Sequence, residues 1–268
     1  MPRATATAKQ NATEKPGWRL WLRVVAWSGL FVGALWGGTE LRSFLLTDPR
    51  FGLACDPAET SCSNLEIQGT TYVNRDRVRA VFTPDFGRSV FHLPLAERRR
   101  HLLAIDWVRT ATISRVWPNR IVVTIAERVP VAFAKLPVAG TARHWMALVD
   151  NDGVLMTLPR KVRFNLPVLS GLTEEQKDED RRLRVRAMNR LLEDLGPQAK
   201  DISEINAASL QEMRVIADVD GQGVELWLGD QHFRSRYSNF LSHYQDIRQH
   251  SQEASTFDLR LDDRILAR

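Results

Sequence analysis

WVRTATISRVWPNRIVVTIAERVPVA, residues 107–132, decides how the chain folds. Two strand-length runs, 108–116 and 120–127, flank the short turn Trp117-Pro118-Asn119, which predicts a hairpin. In the second run Ile121, Val123 and Ile125 alternate with Val122, Thr124 and Ala126, so one face is buried and the other only weakly polar. Trp107 and Trp117 read as core or turn-packing aromatics. Glu127 and Arg128 are neighbours in an extended run and point to opposite faces, so they form no catalytic pair by themselves.

N-terminal to this hairpin, Leu65-Glu66-Ile67-Gln68 alternates and is closed by Gly69, a short strand. Asn74 caps a helix over 75–82 with Val78, Val81 and Phe82 on its apolar face, and Pro84 to Gly87 breaks it. Pro94 sits in the first turn of a second helix, 95–104, with Leu95, Leu102 and Leu103 turned to the sheet. The order is strand, helix, helix, strand, strand: three strands and two helices around one small core.

On the C-terminal side the period remains that of strands, at 131–134, 145–149 and 154–158. The turn Asp150-Asn151-Asp152-Gly153 is acidic, but its spacing does not fit a calcium loop and no closing Glu follows, so it reads as a plain hairpin. Residues 165–171 lead to a charged helix, 174–195, stopped by Gly196-Pro197, with Leu183, Ala187, Leu191 and Leu195 as its apolar stripe. Strands 213–217 and 224–228 flank another turn, whose Gly221-Gln222-Gly223 precedes no helix that could receive a phosphate. A second helix covers 232–250. The last hairpin runs 256–261 and 264–267 through Asp262-Asp263.

The 268 residues carry 37 Lys+Arg against 32 Asp+Glu, a net charge of +5, with 44% hydrophobic and 26% charged residues. That composition excludes a wholly disordered or collagen-like chain, and two cysteines exclude a disulfide-rich scaffold. The excess charge suggests nucleic acid only until it is located. Arg3, Lys9, Lys15, Arg19 and Arg23 stand against Glu14 alone, which leaves residues 24–268 with a net charge of +1. Arg98-Arg99-Arg100 and Arg181-Arg182 follow acidic residues and read as solvated helix faces rather than phosphate contacts.

Residues 24–39, VVAWSGLFVGALWGGT, hold no charge, and with Leu20, Trp21 and Leu22 the run reaches the length of a membrane-crossing helix. Trp18 and Trp21 at one end and Trp36 at the other match an aromatic belt, and the basic tail places the N-terminus in the cytoplasm. A cleaved signal peptide is the rival; an uncleaved anchor is preferred because no small-x-small site closely follows the apolar run. The expected organisation is a disordered cytoplasmic tail over 1–19, a transmembrane helix over 20–39 and a juxtamembrane linker over 40–62. A first outer domain then covers 63–129 and a second 130–268. Cys55 and Cys62 lie just outside the membrane. In an oxidising compartment they can close a small structural loop; the alternative is two free thiols.

Nothing in the sequence predicts an enzyme, a cofactor or a metal. His92, His101, His144, His232, His243 and His250 are scattered, and no Walker, dinucleotide or nucleophile-elbow pattern occurs. His243 and His250 share a helix face, read as solvated.

The element order resembles a POTRA domain. Ile67-Gln68-Gly69, Asp106-Trp107-Val108, Arg115-Val116-Trp117-Pro118-Asn119 and Glu127-Arg128-Val129-Pro130-Val131-Ala132 are similar to the pattern of the bacterial FtsQ/DivIB family. So, further on, are Leu148-Val149-Asp150-x-x-Gly153, Leu166-Pro167-x-Leu169-x-Gly171, Leu226-x-Leu228-Gly229 and Asp258-Leu259-Arg260. The resemblance implies an α+β protein with one transmembrane helix, a β-α-α-β-β POTRA domain and a mixed-sheet β domain with two helices. It further implies a single-pass inner-membrane scaffold of the division septum, with its body in the periplasm. The POTRA domain of that family supports localisation, while the β domain binds FtsB and FtsL, which regulate the synthase pair FtsW and FtsI. The terminal hairpin then supplies the partner-binding residues, Arg260, Leu261, Arg264, Ile265, Leu266 and Ala267, with Arg260, Leu261, Ile265 and Ala267 facing the partner. An exposed terminal strand suits that task, because its free N–H and C=O groups accept another strand. The family often carries Tyr where this chain has Leu261, and no aromatic follows the last strand, so the partner contact is expected to be redistributed. The alternative from another class is a POTRA-bearing transport or assembly factor of the envelope, which would bring several repeats or a barrel. An anchored cell-wall hydrolase is disfavoured by the lack of a catalytic cluster.

Overall fold

The first described element is a helix whose length outruns its apolar sequence. In the computed structural model, which describes residues 18–54, 62–159, 162–250, 254–261 and 264–267, α1 spans Trp18–Thr47. The helix therefore continues through eight residues expected to start a linker. Asp48 ends it and caps a one-turn helix, Pro49–Phe51, by accepting the Arg50 N–H at 2.8 Å. The Arg50 guanidinium returns to the same carboxylate and holds the Asp48 pKa below the ordinary aspartate value.

Next come β1 (Leu65–Gln68), α2 (Arg75–Ala80), α3 (Leu95–Leu103), β2 (Val108–Val116) and β3 (Arg120–Glu127). This is the predicted β-α-α-β-β order, with the strands arranged β1-β3-β2. Asn74 caps α2 as expected, its side chain accepting from the Asp76 N–H at 2.7 Å. Ile121, Val123 and Ile125 are buried while Thr124 and Ala126 are exposed, so the alternation of β3 sets its two faces. Gly69 is required by shape: its φ is +77°, and a Cβ there would lie 2.0 Å from the carbonyl oxygen of Ile125.

The rest builds one nine-stranded sheet. Its elements are β4 (Pro130–Pro137), β5 (His144–Asp150), β6 (Leu155–Met156), β7 (Val168–Ser170), α4 (Asp178–Leu195), β8 (Ile202–Asn206), β9 (Met213–Val219), β10 (Gln222–Gly229), α5 (Phe233–His250), β11 (Thr256–Asp258) and β12 (Leu266–Ala267). The strand order is β12-β11-β10-β9-β8-β7-β4-β5-β6. Three pairings are parallel, β4 with β7, β7 with β8 and β10 with β11; the others are antiparallel. Both helices lie on one face, with Val185, Met188, Leu191 and Leu195 of α4 and Phe233, Tyr237, Phe240 and Tyr244 of α5 packed on alternate strand residues such as Val215, Ala217, Leu226 and Phe257.

Three expectations need correction. The helix expected from 174 starts at Asp178, because the carbonyls of Thr173, Glu174 and Gln176 accept from the Arg181 guanidinium instead of serving a helix turn. Its buried stripe is Arg181, Val185, Met188, Leu191 and Leu195, whereas Leu183 is half-exposed. Residues every fourth position drift about 40° per step around a 3.6-residue helix, so a strict i, i+4 row leaves the sheet. Strands β7 and β8 were not expected as strands at all.

The chain divides into two units. One gathers the residues up to Leu65 with Pro84–Leu93 and Arg115–Ile121; the other gathers Glu66–Thr83, Pro94–Ser114 and everything from Val122 onward. Cys62 is disulfide-bonded, and Cys55, the other cysteine in the sequence, lies outside the described residues, as do Asp262, Asp263, Arg268 and the tail before Trp18.

Candidate partner-docking edge

The sheet ends in strands of two residues on both sides. At the C-terminal side, β10 carries β11 in parallel register, Leu226 opposite Phe257 and Trp227 opposite Asp258. β11 then carries β12 antiparallel, Phe257 opposite Ala267 and Asp258 opposite Leu266. Opposed residues share a face, so Ala267 lies on the helix side with Phe257, and Leu266 on the open side with Asp258. Beyond β12 no strand follows among the described residues, so its outer edge presents unpaired backbone groups.

The structure brings the expected residues to this edge but sorts them. Leu266 is 42% exposed, Leu261 is exposed, and Arg264 and Ala267 are exposed as well. Ile265 is half-buried and packs on the core under α5. Arg260 is held from three sides. Asp258 accepts from its Nε at 2.9 Å and its Nη2 at 2.7 Å, Glu212 accepts from its Nη1 at 2.6 Å, and its guanidinium stands 4.9 Å from the centre of the Trp227 ring. The buried Asp258 carboxylate thereby raises the Arg260 pKa above the ordinary arginine value. Arg214 also lies over Trp227, at 3.9 Å. Beside the edge a recess of about 380 Å³ opens between α5 and the terminal segment, lined by His232, Ser235, Arg236, Asn239, Leu259, Leu261 and Ile265. Among the described residues it holds one histidine and no acidic group, and no cluster able to hold a metal occurs among them. The geometry suits the reception of a peptide segment, with strand edge, hydrophobic neighbours and fixed positive charge together.

Other sequence-prominent residues have structural tasks. The Glu127 carboxylate accepts the N–H groups of Thr71, Tyr72 and Val73 at 2.7–3.1 Å, closing the loop before α2. Arg128 donates to Asp150 at 2.7 Å, with their side chains only 17% and 5% exposed. Trp107 is buried and donates from its indole N–H to the Thr157 carbonyl, while Trp117 is 68% exposed. Trp227 was missed by sequence reasoning; its pattern signal was a lone aromatic on the polar side of an alternating strand.

Residues 60–128 match the family model described as "POTRA domain, FtsQ-type". A cell division protein FtsQ of Koribacter versatilis is 31% identical over 213 residues, 77% of this chain and 59% of that relative. Proteins of the same name from Novosphingobium aromaticivorans and Syntrophotalea carbinolica are 28% and 24% identical, over 83% and 57% of this chain and 66% and 54% of their own lengths. The matched part thus spans a little over half to two thirds of these relatives. With a β-α-α-β-β domain that matches the FtsQ-type POTRA model and with these homologues along most of its length, the chain is similar to cell division proteins FtsQ.

Proposed function

We propose that this protein is a single-pass scaffold of the bacterial division septum that joins early and late division proteins by lending a strand edge to a bitopic partner. Support comes first from its homology to cell division proteins FtsQ. α1 is long and apolar enough to cross a membrane, and the basic tail favours a cytoplasmic N-terminus with the body outside. The observation that carries the docking role is β12, a two-residue strand at the sheet's margin with exposed Leu266 and Ala267 and a free outer edge. An extended segment of an FtsB-like protein, with FtsL beside it, adds there as the next strand, and through that pair the scaffold governs the FtsW/FtsI synthase. Residues 63–129 act as the localising domain and 130–268 as the docking domain. Cys55 and Cys62 close a structural loop where the body leaves the membrane.

The test is photo-crosslinking from Leu266 in dividing cells, with Leu266→Asp and Ala267→Pro as variants. A crosslink to the FtsB-like protein, lost in both variants while the body stays folded, is the expected result. Leu266 is a cleaner probe than Ile265, whose packing on the core mixes folding with docking. Full capture by both variants would sink the edge-strand role.

A further inference from the structure

The unit that contains α1 keeps an exposed indole, that of Trp117. The uncharged run of residues 24–39 is centred between Phe31 and Val32. A hydrocarbon core about 30 Å thick takes about 20 helical residues at 1.5 Å each, which ends the core near Leu41 and Arg42. The headgroup layer adds roughly 5–7 Å, about four further residues, so Phe44 and Leu45 of α1 lie within it.

The rest of the unit is fastened at that level. The Ser89 hydroxyl donates to the Leu45 carbonyl at 2.8 Å. Phe44 meets Phe51 at 5.7 Å between ring centres, and Phe51 meets both Phe91 at 5.8 Å and Trp117 at 5.3 Å. Arg115, one strand residue from the turn, donates to the carbonyls of Val90 and Leu93, each at 2.7 Å, fixing the hairpin tip to the same loop. Despite these contacts Trp117 stays 68% exposed and its neighbour Val116 42% exposed. They are the large hydrophobic residues this unit exposes beyond α1, among the described residues.

We infer that Val116 and Trp117, at the tip of the β2–β3 hairpin, sit in the outer-leaflet headgroup layer of the bilayer that α1 spans, giving the body a second attachment to lipid. The inference rests on the membrane-spanning reading of α1. An indole one ring removed from Phe44 is held at the depth where tryptophan is most at home, with its apolar body toward the acyl chains and its N–H toward water. Water alone gives no reason to hold the ring out.

The test uses the full chain in vesicles of phosphatidylethanolamine and phosphatidylglycerol, with an environment-sensitive fluorescent amino acid at Asn119 or, separately, at Leu35. Spin-labelled lipids then quench from the headgroup or from deep in the acyl chain. The Asn119 probe should be quenched from the headgroup and the Leu35 probe from the deep label. Trp117→Glu, at an exposed site, should remove most of the quenching at Asn119, and Trp117→Tyr should keep it. An unquenched Asn119 probe beside a quenched Leu35 probe overturns the hairpin attachment and leaves the anchor standing. Full quenching in Trp117→Glu also overturns it, because the tip would then be near lipid only through its tether. An unquenched Leu35 probe overturns the anchor, and the hairpin attachment with it.

Discussion

The nine-stranded sheet has two ends built alike and finished differently. β6 and β12 are both two-residue strands, each antiparallel to its only neighbour. Around the β6 end, Asp150 accepts Arg128, Asp152 N–H and Val154 N–H, and Thr157 bonds to Asp106 and Trp107 of the POTRA domain. That end is braced by buried charge and by a second domain. The β12 end has α5 beneath it and, among the described residues, no strand beyond its edge. Short edge strands normally serve to prevent pairing. Here one is stitched into the neighbouring domain, while beside the other Arg260 is held by Asp258 and Glu212; under the proposed docking role, that is the difference between a structural joint and a docking margin.

The largest effect should come from the braced end. Arg128→Ala leaves Asp150 buried without its cation and should destabilise the full chain by about 3–5 kcal/mol, read from the urea midpoint in detergent. A change below about 1 kcal/mol would mean that the joint is not what holds this end. The open end offers an alkaline probe. Tyr237, on the buried face of α5, is driven up to about 12, first by burial and then by Asp201 and Asp218. Its unfolded phenol titrates near 10, so the unfolded state loses its proton first and stability falls between pH 10 and 12, by on the order of 2 kcal/mol. Tyr237→Phe should flatten that fall. At neutral pH it should cost little, since the hydroxyl is buried without a hydrogen-bond partner.

Back at the braced end, Gly153 has φ +78°, and a Cβ there would sit 2.5 Å from the carbonyl oxygen of Asp178 and the nitrogen of Arg182. Gly153→Ala should therefore cost roughly 2 kcal/mol, measured in the same denaturation series. The smallest effect on folding belongs to Leu266→Asp, within about 0.5 kcal/mol, though it is the change expected to end partner capture. A large loss of stability in that variant would erase the contrast between the two ends.

Much of this was legible because local pattern and burial agreed. The hairpin of 108–127 appeared as read, since alternation in β3 is strict and Trp117-Pro118-Asn119 leaves no other course. The Asn74 cap was likewise readable from residue type alone. β7 and β8 were not legible, because three to five residues with parallel partners far along the chain carry no periodic signal of their own. The residues expected to face a partner do not share one face of the hairpin: Ile265 packs inward and Leu266 stands open.

The sequence by itself determined the long apolar N-terminal helix, the β-α-α-β-β order and the place of the last hairpin, since hydropathy, turn chemistry and caps act within a few residues. Which charges are buried, which sheet edge is braced and which indole is left exposed were decided only by tertiary structure. Arg128 finds Asp150 at 22 residues' remove, and Trp107 finds Thr157 at 50. Pairings of that reach depend on how whole elements stack, and no short stretch of sequence encodes them.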